Sequence, residues 1–69
     1  MAITLRQLEI FQAVAETSQV TRASKKLVLT QSAVSMALAE LENQLGGPLL
    51  DRHGRSLLLN DRGRYLLPL

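Results

Sequence analysis

Apolar residues recur along most of this chain at three- and four-residue spacing, the period of helices that bury one face. Leu5, Leu8, Phe11 and Val14, with Ala15, form the first stripe and predict a helix from Leu5 to about Glu16. Thr4 stands where it caps the first amides, Gln7 closes a capping box, and Ile3 staples onto Leu8. Thr17-Ser18-Gln19 is a polar break, and Ser18 is expected to cap a short second helix, Val20 to Leu27, that turns Val20, Ala23, Ser24 and Leu27 inward. A third helix begins at Gln31 behind the cap Thr30, with Leu29 stapled onto Val34. Its stripe is Val34, Ala37, Leu38, Leu41 and Leu45. Gly46-Gly47-Pro48 ends it, because glycine accepts a left-handed cap and proline cannot continue a helix.

The period then changes. Leu49-Leu50-Asp51-Arg52 and Ser56-Leu57-Leu58-Leu59 flank His53-Gly54-Arg55, a glycine-containing loop, and predict a two-stranded hairpin. Asn60 caps a last, weakly specified helix from Asp61, in which Gly63 lowers the propensity and Pro68 removes a hydrogen bond. Tyr65, Leu66, Leu67 and Leu69 form an apolar stripe that little of this domain is left to cover, so the end reads as cut or as completed by a partner.

Composition narrows the candidates. The 69 residues, 46% of them hydrophobic, suffice for one small core. Cysteine is absent and His53 is the single histidine, which removes disulfides and the usual zinc ligand sets, and no cofactor is expected. With these residues and scattered carboxylates there is no acid-base pair on an identifiable pocket, so an enzyme is not expected. No apolar run is long enough to span a membrane, and Arg6 and Glu9 interrupt the N-terminal stretch that a signal peptide would need, so a cytoplasmic protein is expected.

Two helices joined through the short turn Val28-Leu29-Thr30 and followed by a hairpin give the layout of a winged helix-turn-helix, a mainly α fold. The formal net charge of +2 is modest, and its placement matters more. Between Leu27 and Asp51 there is no Lys or Arg, whereas Arg22, Lys25 and Lys26 precede that stretch and Arg52, Arg55, Arg62 and Arg64 follow it. The exposed side of the third helix presents Gln31, Ser32, Ser35, Met36 and Ala39, small or neutral side chains able to approach base edges. A recognition helix of about 31–45 in the major groove of double-stranded DNA fits this arrangement. Its N-terminal half would enter the groove and its far half, with Glu40 and Glu42, would be kept from the phosphates. Free amides behind Thr30 can hold a phosphate. The competing reading is a protein-docking or dimerisation module in which the basic residues serve only solubility.

Leu5-Arg6-Gln7-Leu8-Glu9-Ile10-Phe11, Ser18-Gln19-Val20-Thr21-Arg22-Ala23, Leu29-Thr30-Gln31-Ser32-Ala33-Val34-Ser35, Leu41-Glu42-Asn43-Gln44-Leu45-Gly46, Pro48-Leu49-Leu50-Asp51-Arg52 and Leu59-Asn60-Asp61-Arg62-Gly63 together resemble the N-terminal DNA-binding domain of LysR-type transcriptional regulators. The resemblance covers nearly the whole chain. It implies three helices, a hairpin wing and the start of a linker helix, with 1–59 as the winged helix-turn-helix domain and 60–69 as the truncated linker helix. It also implies a homo-oligomer formed through that helix, and a small-molecule effector bound in a C-terminal domain absent here. By position it puts Thr21 and Arg22 at the DNA backbone, Gln31, Ser32, Ser35 and Met36 at the groove, and Arg52 and Arg55 in the wing, and Thr30, the cap of the third helix, is counted with them as a DNA-binding residue. Three positions depart from the pattern. Met36 stands where the family often has Arg or Lys, which removes a bidentate guanine contact. Leu50 replaces a frequent Phe and Asn60 a frequent Thr, with packing and capping preserved.

Overall fold

The short-range signals in the chain act where they stand. Thr4 Oγ1 accepts from the Gln7 N–H at 3.1 Å and Gln7 Oε1 accepts from the Thr4 N–H at 3.0 Å, the reciprocal box that starts helix α1, Leu5–Thr17. Helix α2 is Val20–Leu27, and α3 is Gln31–Gln44 with Thr30 Oγ1 accepting from the Ala33 N–H at 3.0 Å. Strands β1, Leu50–His53, and β2, Ser56–Leu59, pair antiparallel with Leu50 opposite Leu59 and His53 opposite Ser56. Helix α4, Asp61–Leu66, follows behind Asn60, whose Oδ1 accepts from the Gly63 N–H at 2.8 Å. This computed structural model describes residues 3–67.

Phe11 and Val14 from α1, Val34 and Leu41 from α3, and Leu49 from the loop before the hairpin are fully buried and form the centre of the core. Ala23 is equally buried, and its small side chain lets α2 approach closely. The stripe expected for α1 is corrected at its start. Leu5 is 75% exposed, whereas Gln7, Ile10 and Ala13 join Phe11 and Val14 inside. Each i+3 step falls about 60° short of a full turn, so the three steps from Leu5 to Val14 carry Leu5 to the opposite side of the helix. Gln7 is buried because its amide is used twice, in the capping box and towards Glu40 Oε2 on α3 at 3.4 Å.

Ser18 does not cap α2. It closes α1 instead, in the left-handed region at φ 62°, with its N–H on Val14 O at 2.7 Å. Gln19 takes the N-cap position of α2 without a side-chain hydrogen bond. The hairpin loop is also shorter than expected. His53 pairs with Ser56 inside the ladder, which leaves Gly54-Arg55 as a two-residue turn with Gly54 at φ 62°, the glycine-first pattern that suits the twist of the strands. In the terminal stripe, Leu66 and Leu67 pack on this domain's own core and Tyr65 is exposed, while Leu69 lies outside the described residues.

Val28, in the turn between α2 and α3, has φ 57° and is 89% exposed. A β-branched residue is strained in this region, and its side chain has almost no packing to lose. Val28→Gly is expected to stabilise the fold by about 1 kcal/mol after the added freedom of the unfolded chain is counted. Thermal unfolding should show a rise of about 4–8 °C. An unchanged or lower midpoint would mean that Val28 carries no strain.

Candidate nucleic-acid interface

The starts of α2 and α3 and the hairpin converge on an open cleft of about 450 Å³ lined by Gln19, Val20, Thr21, Gln31, Ser35, Arg52, Arg55 and Leu57. Gln31 and Ser35 are one helical turn apart and project from the same side of α3. Arg52 and Leu57 are cross-strand partners, so their side chains leave the ribbon on the same face, and Arg55 reaches the cleft from the turn. Thr21, Gln31, Ser35, Arg52 and Arg55, drawn from three separate stretches of the sequence, therefore share one surface.

The other residues expected from sequence lie outside that cleft. Ser32 and Met36 form a second exposed row on α3, and Met36 is 64% exposed. Arg22 is exposed on α2. The Thr30 hydroxyl is engaged in capping α3, so its contribution at this surface is to hold the leading turn of the helix in place. Gln19, Val20 and Leu57 escaped the sequence reading. Leu57 reads as a core strand position, and only the fold brings it beside the α1–α2 junction.

Charge is distributed differently from its order along the chain. Lys26 pairs with Glu16 at 2.7 Å. Arg62 Nη1 donates to Leu45 O at 2.6 Å, at the C-terminal end of α3, where a cation also meets the negative end of the helix dipole. Arg64 donates to Leu59 O at 2.8 Å and pairs with Asp61 at 2.6 Å. The bracket of cations around α3 thus divides in two. Lys26, Arg62 and Arg64 each have partners within the fold, through contacts that are exposed to solvent, and Arg22, Lys25, Arg52 and Arg55 form no side-chain hydrogen bond or ion pair among the described residues. The acidic end of α3 is engaged as well, since Glu42 Oε2 accepts from the Leu49 N–H at 2.8 Å and so ties the helix to the following loop. What remains is a neutral, hydrogen-bonding helix face flanked by unpaired cations. Such a surface suits a ligand whose edges carry donors and acceptors and whose rims carry negative charge. The leading amides of α2, which lack a side-chain cap, add to the positive rim.

Residues 5–64 match the family model for bacterial regulatory helix-turn-helix proteins of the lysR family. The chain is 54% identical over 68 residues to an uncharacterized HTH-type transcriptional regulator, YeiE of Escherichia coli (strain K12), covering 99% of this chain and 23% of that protein. It superposes on Corynebacterium glutamicum OxyR in its oxidized form with a TM-score of 0.93 at 37% identity, covering 99% of this chain and 22% of the other. It also superposes on the BenM DNA-binding domain in complex with benA site 1 DNA, with a TM-score of 0.88 at 34% identity over 93% of this chain and 74% of that one. The chain thus spans under a quarter of the length of YeiE and OxyR.

Proposed function

This chain belongs to the LysR family of bacterial regulatory helix-turn-helix proteins, and on that premise we propose that it binds double-stranded DNA sequence-specifically as the reading domain of a transcriptional regulator. The observation that carries the proposal is the cleft that unites Thr21, Gln31 and Ser35 with Arg52 and Arg55. The N-terminal half of α3 enters the major groove, where Gln31, Ser32, Ser35 and Met36 meet base edges. Thr30 holds the start of that helix, Thr21 and Arg22 approach the backbone from α2, and Arg52 and Arg55 grip it from the hairpin wing. The BenM complex supports this reading, because a relative of the same fold is bound to DNA.

Residues 1–59 form the reading unit in this proposal, and 60–69 begin a helix through which two copies associate in a longer regulator. A small-molecule effector would act on a further domain of such a protein. The activity is binding without catalysis, in the cytoplasm where bacterial DNA lies. No helix among the described residues is long and apolar enough to cross a membrane.

Salt titration tests the proposal. Each neutralised phosphate contributes about −0.9 to the log-log slope of affinity against salt, so Arg22, Lys25, Arg52 and Arg55 together give roughly −3 to −4. Duplex affinity should fall about 100-fold between 50 and 200 mM salt. A slope near zero, or no duplex binding in low salt, would favour the docking module instead.

A further inference from the structure

The wing is joined to the first two helices by one hydrogen bond among the described residues. The Leu57 N–H donates to Ser18 O at 2.7 Å. The ladder explains why that donor is free. A two-residue turn makes His53 and Ser56 the pair that exchanges hydrogen bonds, and the antiparallel alternation then leaves Arg52 and Leu57 as a non-bonded pair whose backbone groups point away from each other. The outward Leu57 N–H would be an unpaired strand-edge donor without Ser18. On the other side, Ser18 satisfies both of its backbone groups. Its N–H closes α1 on Val14 O and its carbonyl receives Leu57, and the left-handed φ of 62° directs the two groups to those partners.

The bond lies at the root of the cleft. Gln19, Val20 and Thr21 follow Ser18 directly and form one wall, while Leu57 and its cross-strand partner Arg52 belong to the other. Leu50, Leu57 and Leu59 hold the hairpin on the core, and this bond is the one hydrogen bond among the described residues that fixes the wing against the α1–α2 junction, and so the separation of Arg52 and Arg55 from α2. We propose that the Ser18–Leu57 hydrogen bond is a positioning contact that sets the wing against the helix-turn-helix, so that Arg52 and Arg55 meet the backbone of the DNA that α3 is reading. The proposal rests on the DNA-binding function above and adds a division of labour: the bond governs grip, and α3 governs choice.

The chain is short enough for chemical synthesis, which allows the donor to be deleted by replacing the Leu57 amide with an ester. Ser18→Val perturbs the acceptor from the opposite side, because a β-branched residue resists φ 62°, and Ser18→Gly keeps that conformation as the control. Affinity for a site selected from random duplexes, affinity for a scrambled duplex and the salt slope are measured below the unfolding transition of each variant. The ester and Ser18→Val should both bind selected and scrambled duplexes about tenfold more weakly and show a slope shallower by about one unit, the loss of one phosphate contact. Their selected-to-scrambled ratio and the behaviour of Ser18→Gly should be unchanged. Wild-type affinity and slope in the ester chain would overturn the proposal, since a bond that only stabilises the fold leaves both unmoved in molecules that remain folded. A collapse of the selected-to-scrambled ratio would overturn it as well, because the bond would then be setting α3. Absence of duplex binding by the unmodified chain would instead refute the DNA-binding function.

Discussion

Gly63→Ala is expected to destabilise this domain by about 3 kcal/mol, although alanine is the better helix former by about 1 kcal/mol in an exposed helix interior. The sign is reversed by packing. A Cβ at Gly63 would lie 2.1 Å from the Leu49 carbonyl oxygen and 2.8 Å from Leu59 Cδ2. The leucine methyl can move, but the carbonyl cannot easily do so, because Leu49 O also accepts from the Asn60 N–H at 3.1 Å. Leu49 is itself fully buried, so α4 must lift away and uncover Leu66 and Leu67. Thermal unfolding should shift down by more than about 10 °C, since each 1 kcal/mol moves the midpoint of so small a domain by about 4–8 °C. A midpoint equal to or above that of the parent chain would mean that α4 does not sit against Leu49 as described.

The second large effect separates reading from grip. Ser35 lines the cleft from α3 and faces the groove in the proposed complex. Ser35→Glu places a carboxylate among base acceptors and phosphates and should reduce the ratio of selected-site to scrambled-duplex affinity by roughly 10- to 100-fold. Arg52→Ala and Arg55→Ala should weaken both duplexes alike and make the salt slope shallower by about one unit each. Arg62→Ala supplies the contrast. That guanidinium closes the end of α3 on Leu45 O, so its removal should lower the unfolding temperature and leave the salt slope unchanged. Competition between the two duplexes at several salt concentrations measures all of these. Loss of discrimination in the wing variants with retention in Ser35→Glu would make the wing the reader and remove α3 from that role.

The two glycines that matter most show how unevenly the chain discloses itself. Gly54 is legible as a turn residue, because a short hairpin loop asks for a glycine that accepts positive φ, and the structure places it first in a two-residue turn at φ 62°. Gly63 reads as a defect, since nothing within its own helix requires the missing side chain. Its reason is the carbonyl of Leu49, fourteen positions earlier and brought alongside only when the loop after α3 folds back onto α4. The same contrast separates the caps. Thr4, Thr30 and Asn60 act on amides within three residues and are readable in place, whereas Ser18 ends one helix rather than starting the next because the chain must reverse there and deliver a carbonyl to Leu57.

By itself the sequence determined the helices, their starts at the three side-chain caps, the glycine-proline stop after α3, the hairpin, the neutral face of α3 and the family resemblance. Each of these depends on interactions spanning a few residues or on matched positions along the chain, and both survive in a linear text. Arg64 pairs with Asp61 three positions away in its own helix, a contact the sequence carries. Tertiary structure decided which of the other cations are free. Lys26 and Arg62 look like Arg22, Lys25, Arg52 and Arg55 on paper, and they differ because Glu16 and the α3 terminus lie within their reach. It also decided that Leu57 and Gln19 face one cleft with Arg52 and Ser35. Charge is a property of a residue, but availability of that charge depends on neighbours at hydrogen-bond distance, and those neighbours are fixed by how the helices and the ribbon pack.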